Sequence, residues 1–394
     1  LHFVTIFKSL HESGGAEVIA QNQLHILRSL GVRLTVLARQ GNAGTQDYEF
    51  VQVNPFHFGR LGRVGGFARA VCRKVQDLNA DLVLSQEYMP CCHVYWADGG
   101  AHAEWLRQQR RTLGFWGRMW QGMDMHHRSK LRLERATYES ESLQSVICIS
   151  EMVREDILRH YEISPERLYV IETAIDVNHY RRPADFETRK KKTRASMGVP
   201  KDAFLWLFVG SGFARKGLSI ALHALARRPE SNHLLVVGRD SHQRRYQRLA
   251  SRLGIDQRVH FAGRQSDVRP FYWAANALMH PALYEAYGLI VLEAMAAGLP
   301  VLGSQQCGAA RSLIQEGRNG FIRDCLDVDG WVDVMARTED AFDAESMTGY
   351  AVAAARERSL SQLKGEVRSF FQNLLEQSNF TGRETVHTAT ADIY

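Results

Sequence analysis

Residues 280–300, HPALYEAYGLIVLEAMAAGLP, decide how this chain folds. The apolar stretch that ends at Pro281 reads as a strand, and Gly298 followed by Pro300 stops a helix, so a helix is predicted from near Tyr287 to Ala297. Strand, loop, helix and a further strand at Pro300–Gly303 form the repeating unit of a parallel α/β sheet. Two carboxylates stand in it. Glu285 lies in the loop before the helix, whereas Glu293 lies inside it beside Leu292, Ala294 and Met295. A carboxylate there is expensive to bury unless it is paired or lines a polar cleft, and doubly wound folds have such a cleft at the carboxyl ends of their strands. Carboxylates at the mouth of a helix and about two turns in can grip polyols such as a sugar and a ribose, while the helix N-terminus can receive phosphate.

The same alternation runs through the rest of the chain. Candidate strands are Phe3–Phe7, Arg33–Ala38, Glu49–Val53, Asp81–Ser85, Val146–Ser150 and Leu168–Glu172, then Phe204–Val209, His233–Gly238, Val259–Gly263, Ala277–Pro281 and Pro300–Gly303. Apolar runs bounded by turn residues and spaced by helix-length segments predict parallel strands buried on both faces, hence an α/β protein of two Rossmann-like halves. The charged stretch Arg181–Pro200 is the natural break. The expected organisation is a first domain over 1–178 with a helical insert at 105–135, a linker at 179–200 and a second domain over 201–360. A helix at 361–377 is read as packing back on the first domain, and 378–394 as a mobile tail.

Each half opens on a glycine turn. In the second, Val209-Gly-Ser-Gly-Phe-Ala-Arg-Lys-Gly217 begins like a dinucleotide fingerprint, but Arg215 occupies the third glycine position and no acidic residue follows at ribose spacing. That argues against a nicotinamide enzyme. Arg215 offers a fork and Lys216 a point charge, which suits a pyrophosphate, and cations at a helix start oppose the dipole unless an anion is present. In the first half Gly14-Gly15 precedes a helix running through Leu24, Leu27 and Leu30, and either aims N–H groups at an anion or simply turns the chain.

The 394 residues are 45% hydrophobic and 23% charged, with a mean hydropathy of −0.28, which supports a sizeable globular core. No run reaches the ~20 apolar residues of a membrane span. The opening Leu1–Phe7 has no basic leader or small-residue cleavage site, so a cytoplasmic location is expected. Six cysteines form no CxxC pair, and the vicinal Cys91-Cys92 is poorly placed for a bridge, so all six are read as reduced thiols. His102, His126 and His127 lack metal-ligand spacing, Asp327-Val-Asp329 reads as surface, and no metal is expected.

The net charge of +6 is concentrated: Trp105–Arg135 carries a basic surplus of six and Arg181–Arg194 one of five. Trp116, Met119, Trp120 and Met123 fall on one helical stripe, with arginines on other faces. Two readings stay open, a core-facing helix with a solvated basic face and a basic aromatic helix lying on an anionic membrane surface. No nucleic-acid-binding signature accompanies it, so no nucleic-acid partner is expected.

The E-x7-E pattern of Glu285 and Glu293, with its preceding strand and the AGLPV that follows at 297–301, resembles the retaining glycosyltransferases of family 4. These have the GT-B fold, two Rossmann-like domains facing across a cleft. VGSGFARKG at 209–217, RQSDV at 264–268, YWADG at 95–99 and ERAT at 134–137 are similar to the lipopolysaccharide core glucosyltransferase I subgroup, a likeness that spans most of residues 1–325. The resemblance implies that Glu293 holds the ribose hydroxyls and Glu285 those of the donor sugar. It gives the diphosphate to Arg215, Lys216, Gly210 and the N–H groups of Gly288 and Leu289. Arg264 would border the nucleobase, Gly14 and Gly15 would approach the donor from the first domain, and Asp98 would lie on the acceptor side. Relatives carry an acidic residue shortly after the glycine pair where this chain has Val18-Ile19. They carry Gly before the interdomain turn where it has Glu172-Thr-Ala-Ile-Asp176, and Arg after the strand's glycine where it has Ser211.

The expected function is therefore retaining, metal-independent transfer of a hexose from UDP-glucose to a lipopolysaccharide core or other lipid-linked acceptor. The enzyme would sit on the inner face of the cell membrane, held to the anionic surface through 105–135. Alternatives are a GDP- or ADP-sugar donor, a sugar-nucleotide 2-epimerase on the same fold, and a non-catalytic sugar-nucleotide-binding protein. Intact Glu285, Glu293 and Lys216 argue against the last.

Overall fold

A computed structural model of the chain describes residues 1–10, 15–41, 48–56, 59–341 and 345–380, and the tail beyond 380 lies outside them. The chain divides into two compact units, one of Leu1–Thr173 together with the helix from Ser361 onward, the other of Ala174–Leu360.

The first unit holds a parallel sheet of β1 (His2–Leu10), β2 (Arg33–Gly41), β3 (Glu49–Gln52), β4 (Leu82–Ser85), β5 (Val94–Ala97), β6 (Ser145–Cys148) and β7 (Leu168–Val170), in the order β3-β2-β1-β4-β5-β6-β7. The second holds β8 (Phe204–Val209), β9 (Asn232–Val237), β10 (Val259–Gly263), β11 (Ala277–His280), β12 (Val301–Ser304) and β13 (Gly320–Arg323), ordered β10-β9-β8-β11-β12-β13 and again parallel. Each sheet reverses its winding beside its first strand, between β1 and β4 and between β8 and β11, and such a switch point leaves a crevice at the carboxyl ends of the strands. The predicted α/β class and doubly wound halves are thus present. β5 and β13, four residues each, were not among the predicted strands.

The core of the second unit is dry and aromatic. Trp206, Phe208, Leu222, Leu234, Met279 and Trp331 are wholly buried, and side chains of this size contribute about 1.5–3 kcal/mol each when removed from water. In the first unit the helix Leu360–Phe380 returns to the sheet: Phe371 lies 5.8 Å from Phe3, Phe370 lies 5.0 Å from Tyr169, and Arg368 donates to the Ser29 carbonyl at 3.3 Å.

Two expectations need correction, and one choice left open is narrowed. The charged stretch 179–200 is not a free linker. It forms helices Val177–Tyr180 and Phe186–Ser196 within the second unit, where the buried Arg194 guanidinium donates to the Ala274 carbonyl at 2.8 Å, the Ala203 carbonyl at 2.9 Å and Asn276 Oδ1 at 2.6 Å. Nor are all six cysteines free. Cys72, on the helix Gly59–Leu78, is bonded to Cys91 in the loop after β4, a pair the fold makes adjacent across 19 residues; Cys92, Cys148, Cys307 and Cys325 are unbonded and buried. Finally, the 105–135 insert does not turn its stripe to the core. The chain breaks at Gly114 and Asp124 into helices His102–Thr112, Phe115–Met123 and Met125–Tyr138. The middle one buries no residue, leaving Trp116 68% and Trp120 66% exposed alongside Phe115, Met119 and Met123.

Candidate active site

The carboxyl ends of β8 and β11 bring the two glycine-rich segments of the second unit together. After Val209 the chain passes Gly210, makes one helical turn over Phe213–Lys216 and turns again at Gly217 (φ 78°). A Cβ on Gly217 would run into the Pro281 carbonyl, so only glycine lets this turn press on the end of β11. Arg215 and Lys216 therefore end a single helical turn and stand just ahead of a longer helix, Leu218–Leu225, that starts after Gly217. What remains is where the side chains go. Arg215 is exposed, while Lys216 is buried, runs its stem beneath Gly210 and pairs its ammonium with the Glu285 carboxylate.

Glu285 is fixed by its own backbone. Its N–H donates to the Gln306 carbonyl at 2.8 Å, and its carbonyl accepts from Gly308 N–H at 3.1 Å, so the loop before the helix is laced to the loop after β12. Burial alone would push its pKa up, but Lys216 first and Arg215 second outweigh it and hold the carboxyl down at about 2. The group is ionised throughout the physiological range. Three residues on, Gly288 has φ 98°, and a Cβ there would stand 2.7 Å from Cys307 Sγ and 3.1 Å from Glu285 Cγ. The helix starts at Leu289, one or two residues later than predicted, and ends at Ala296.

Glu293, inside that helix, is half-buried and shifted the other way. Burial raises its pKa, partly offset by hydrogen bonds from Tyr272, whose hydroxyl donates at 2.7 Å, and from Tyr180. The two rings lie 6.0 Å apart edge to face. Neither tyrosine carries a spacing signal in the sequence, and the carboxylate in an apolar helix was the sign that some partner had to exist. Gly210 is partly exposed at the end of β8, and Arg264 is exposed just past the end of β10. The structure thus gathers Lys216, Glu285, Gly210, Gly288 and Leu289 around one turn. Asp327 and Asp329 belong elsewhere: Asp327 caps the helix Val328–Asp340 and Asp329 pairs with Arg227.

Of the residues expected from the first unit, Gly14 lies outside the described residues and Gly15 opens the helix Gly15–Arg28. Asp98 follows β5 and accepts from Gln23 Nε2 at 3.3 Å; burial pushes its pKa up to about 7, Gln23 pulls against this, and Glu87 adds to it. The Asp98–Gly100 loop is pinned by a residue whose role the sequence hid. Glu134, fully buried, accepts from Tyr88 Oη at 2.8 Å and from the N–H groups of His102 at 2.7 Å and Ala103 at 3.2 Å, while Tyr88 Oη also lies 3.0 Å from the Gly100 carbonyl. The helix His102–Thr112 has no side-chain cap at Ala101, and Glu134 satisfies its first amides instead.

Comparison with known proteins identifies the family. Residues 13–179 match the Glycosyltransferase Family 4 model and residues 189–350 the Glycosyl transferases group 1 model. The chain is 33% identical over 267 residues, 67% of its length and 69% of the relative's, to the lipopolysaccharide glucosyltransferase WaaG of Escherichia coli K12. It is 27% identical over 245 residues, 59% of its length, to a D-inositol 3-phosphate glycosyltransferase of Corynebacterium glutamicum, of which it spans 58%. Among solved structures, WaaG, described as a glycosyltransferase involved in lipopolysaccharide biosynthesis, superposes with TM-score 0.76 at 26% identity over 93% of this chain and 99% of that one. Anabaena HepE in complex with UDP and glucose shares the fold, with TM-score 0.72 at 19% identity over 94% of this chain and 99% of that one. With both halves matched, and a relative at this identity covered over more than two thirds of its length, the chain belongs to the GT-B glycosyltransferases of family 4 and is a glycosyltransferase.

Proposed function

We propose that this enzyme transfers glucose from UDP-glucose, with retention of configuration and without a metal, to a lipopolysaccharide core or other lipid-linked acceptor. The observation that carries the donor reading is the buried Lys216–Glu285 pair beside the exposed Arg215 and the Gly288 helix start. A departing nucleoside diphosphate gains negative charge. Preorganised cations and N–H groups at that point stabilise it without a divalent ion. Glu285, ionised, accepts hydrogen bonds from sugar hydroxyls, and Glu293 takes ribose hydroxyls in exchange for its tyrosines. The departing phosphate receives the acceptor proton on the same face, so no glycosyl-enzyme forms. Glucose and a lipopolysaccharide acceptor are supported by the relative at 33% identity, a lipopolysaccharide glucosyltransferase, and the uridine diphosphate by HepE, which shares the fold and was solved with UDP and glucose.

The helix Phe115–Met123 supports attachment to an anionic membrane surface, proposed as the inner face of the cell membrane. Its exposed Phe115, Trp116 and Trp120, with Arg110, Arg111, Arg118 and Arg128 nearby, combine apolar insertion with attraction to anionic headgroups. No described helix is long and apolar enough to cross the bilayer.

Calorimetric titration with UDP-glucose, GDP-mannose and ADP-heptose, with and without EDTA, tests the donor site. The expected result is binding of UDP-glucose alone, indifferent to EDTA and abolished by Glu293→Ala. Preference for another nucleotide overturns the donor, EDTA sensitivity overturns metal independence, and unchanged affinity in Glu293→Ala overturns the site.

A further inference from the structure

His280 is the last residue of β11 and is wholly buried, and neither ring nitrogen has a hydrogen-bond partner. A buried polar side chain left unsatisfied is destabilising, by roughly the worth of a hydrogen bond or more, so its presence at this point asks for a use. Nε2 lies 4.0 Å from Glu285 Oε2, and a Cβ on Gly288 would stand 3.9 Å from the same nitrogen, so the ring sits behind Glu285 and under the start of the helix. Burial, with Lys216 close by, pushes the imidazole pKa down to about 3. The ring is therefore neutral at physiological pH and carries one N–H.

In the structure the Lys216 ammonium is committed to Glu285. Diphosphate binding asks that ammonium to turn to the phosphates, which strips the buried Glu285 carboxylate of its nearest cation. The charged and titratable groups around that carboxylate are Lys216 and Arg215 from the turn after β8, His280 from β11 and Cys307 from the loop after β12. Arg215 is exposed and on the phosphate side of the proposed donor, and the Cys307 thiol is given to the Tyr287 carbonyl at 3.0 Å. Among the described residues of this group, His280 alone is close and uncommitted. We propose that His280 is a positioning residue for Glu285: as the donor's diphosphate draws Lys216 away, His280 Nε2–H closes from 4.0 Å onto Glu285 Oε2 and keeps the carboxylate ionised and aimed at the sugar hydroxyls. The proposal deepens the donor-site reading above and rests on it.

The exchange predicts a split in pH behaviour that a merely structural histidine would not give. The acid limb of kcat/KM reports the free enzyme, where Lys216 holds Glu285, and the acid limb of kcat reports the bound state, where His280 does. The full chain is assayed by UDP release from UDP-glucose with water as acceptor. His280→Leu is expected to lower kcat about tenfold near pH 6 and to move the acid limb of kcat up by about one pH unit, leaving that of kcat/KM in place. His280→Gln, whose amide reaches the Nε2 position, should restore the kcat limb. His280→Asn, which reaches only the Nδ1 position, should not, and this pair decides the matter if the leucine variant fails to fold. An unmoved kcat limb in His280→Asn, or equal displacement of both limbs in all variants including His280→Gln, overturns the proposal. Lys216→Met separates the two levels. Weakened UDP binding in that variant with an unmoved His280 series overturns the exchange alone, whereas unchanged UDP binding overturns the donor site and the exchange with it.

Discussion

Glu285 and Asp98 are both carboxylates just past the ends of parallel strands, and their surroundings push them in opposite directions. Around Glu285 burial is outweighed by Lys216 and Arg215, whereas around Asp98 burial is opposed only by the Gln23 amide and reinforced by Glu87. With a folded pKa of about 7, Asp98 holds a proton that the unfolded chain has already released above about pH 4, so its stabilising effect is full at low pH and is lost as pH rises through 7. Asp98→Asn keeps the Gln23 contact and never ionises. It should match the parent's unfolding free energy near pH 4 and exceed it by about 2 kcal/mol near pH 8, less than the full linkage value because solvent reaches the side chain. Denaturant melts at the two pH values check this, and an equal increment at both would show that Asp98 is ionised at neutral pH. Of the site, Glu285, Glu293, Lys216 and Gly288 were legible because they lie within short runs whose spacing survives folding. Tyr180, Tyr272 and Glu134 were not, because each acquires its role from an element that reaches it only in three dimensions.

At the scale of one element, the helix Phe115–Met123 shows how far periodicity carries. A stripe at 3.6-residue spacing identifies an amphipathic helix but not what covers the stripe, and a core-facing and a surface-facing helix read alike. Charge did not break the tie, since both readings put the arginines outside. The exposure of Trp116, Trp120 and Phe115 does, because nothing in the described structure covers them. Trp116→Ala combined with Trp120→Ala should reduce affinity for vesicles containing anionic phosphatidylglycerol by at least about tenfold and abolish what binding survives at high salt. The same pair should change unfolding stability by no more than about 0.5 kcal/mol, because exposed side chains contribute little to it. Co-sedimentation and a thermal melt on one preparation separate the outcomes. Unchanged vesicle binding removes the membrane role, and a large loss of stability means that the indoles pack against protein.

For the whole molecule, the sequence announced two doubly wound halves through their alternating strands, yet misplaced the passage between them. Arg181–Pro200 looked like a linker by charge, although Arg194 is one of the most fully satisfied buried cations of the second unit. The helix Leu360–Phe380, read from the sequence as packing back on the first domain, meets β1 and β7 through Phe371 and Phe370. The same division makes two perturbations local. The Cys72–Cys91 bond lies in the first unit and closes a 19-residue loop, so reducing it should lower stability there by about 3 kcal/mol through the entropy of the unfolded chain. UDP, held by the proposed donor residues of the second unit, should add about 2.7 kcal/mol at a hundredfold excess over its Kd. Amide hydrogen exchange reads both by position. Dithiothreitol should speed exchange in Gly59–Leu78 and in the loop between β4 and β5. UDP should slow it at 210–217 and 284–293, the segments that carry the proposed donor residues and the turns at Gly217 and Gly288. Protection by UDP confined to the first sheet would place the nucleotide in the wrong half and overturn the assignment of Lys216, Glu285 and Glu293 together. An unchanged exchange pattern on reduction would mean that Cys72 and Cys91 are held in place by packing alone.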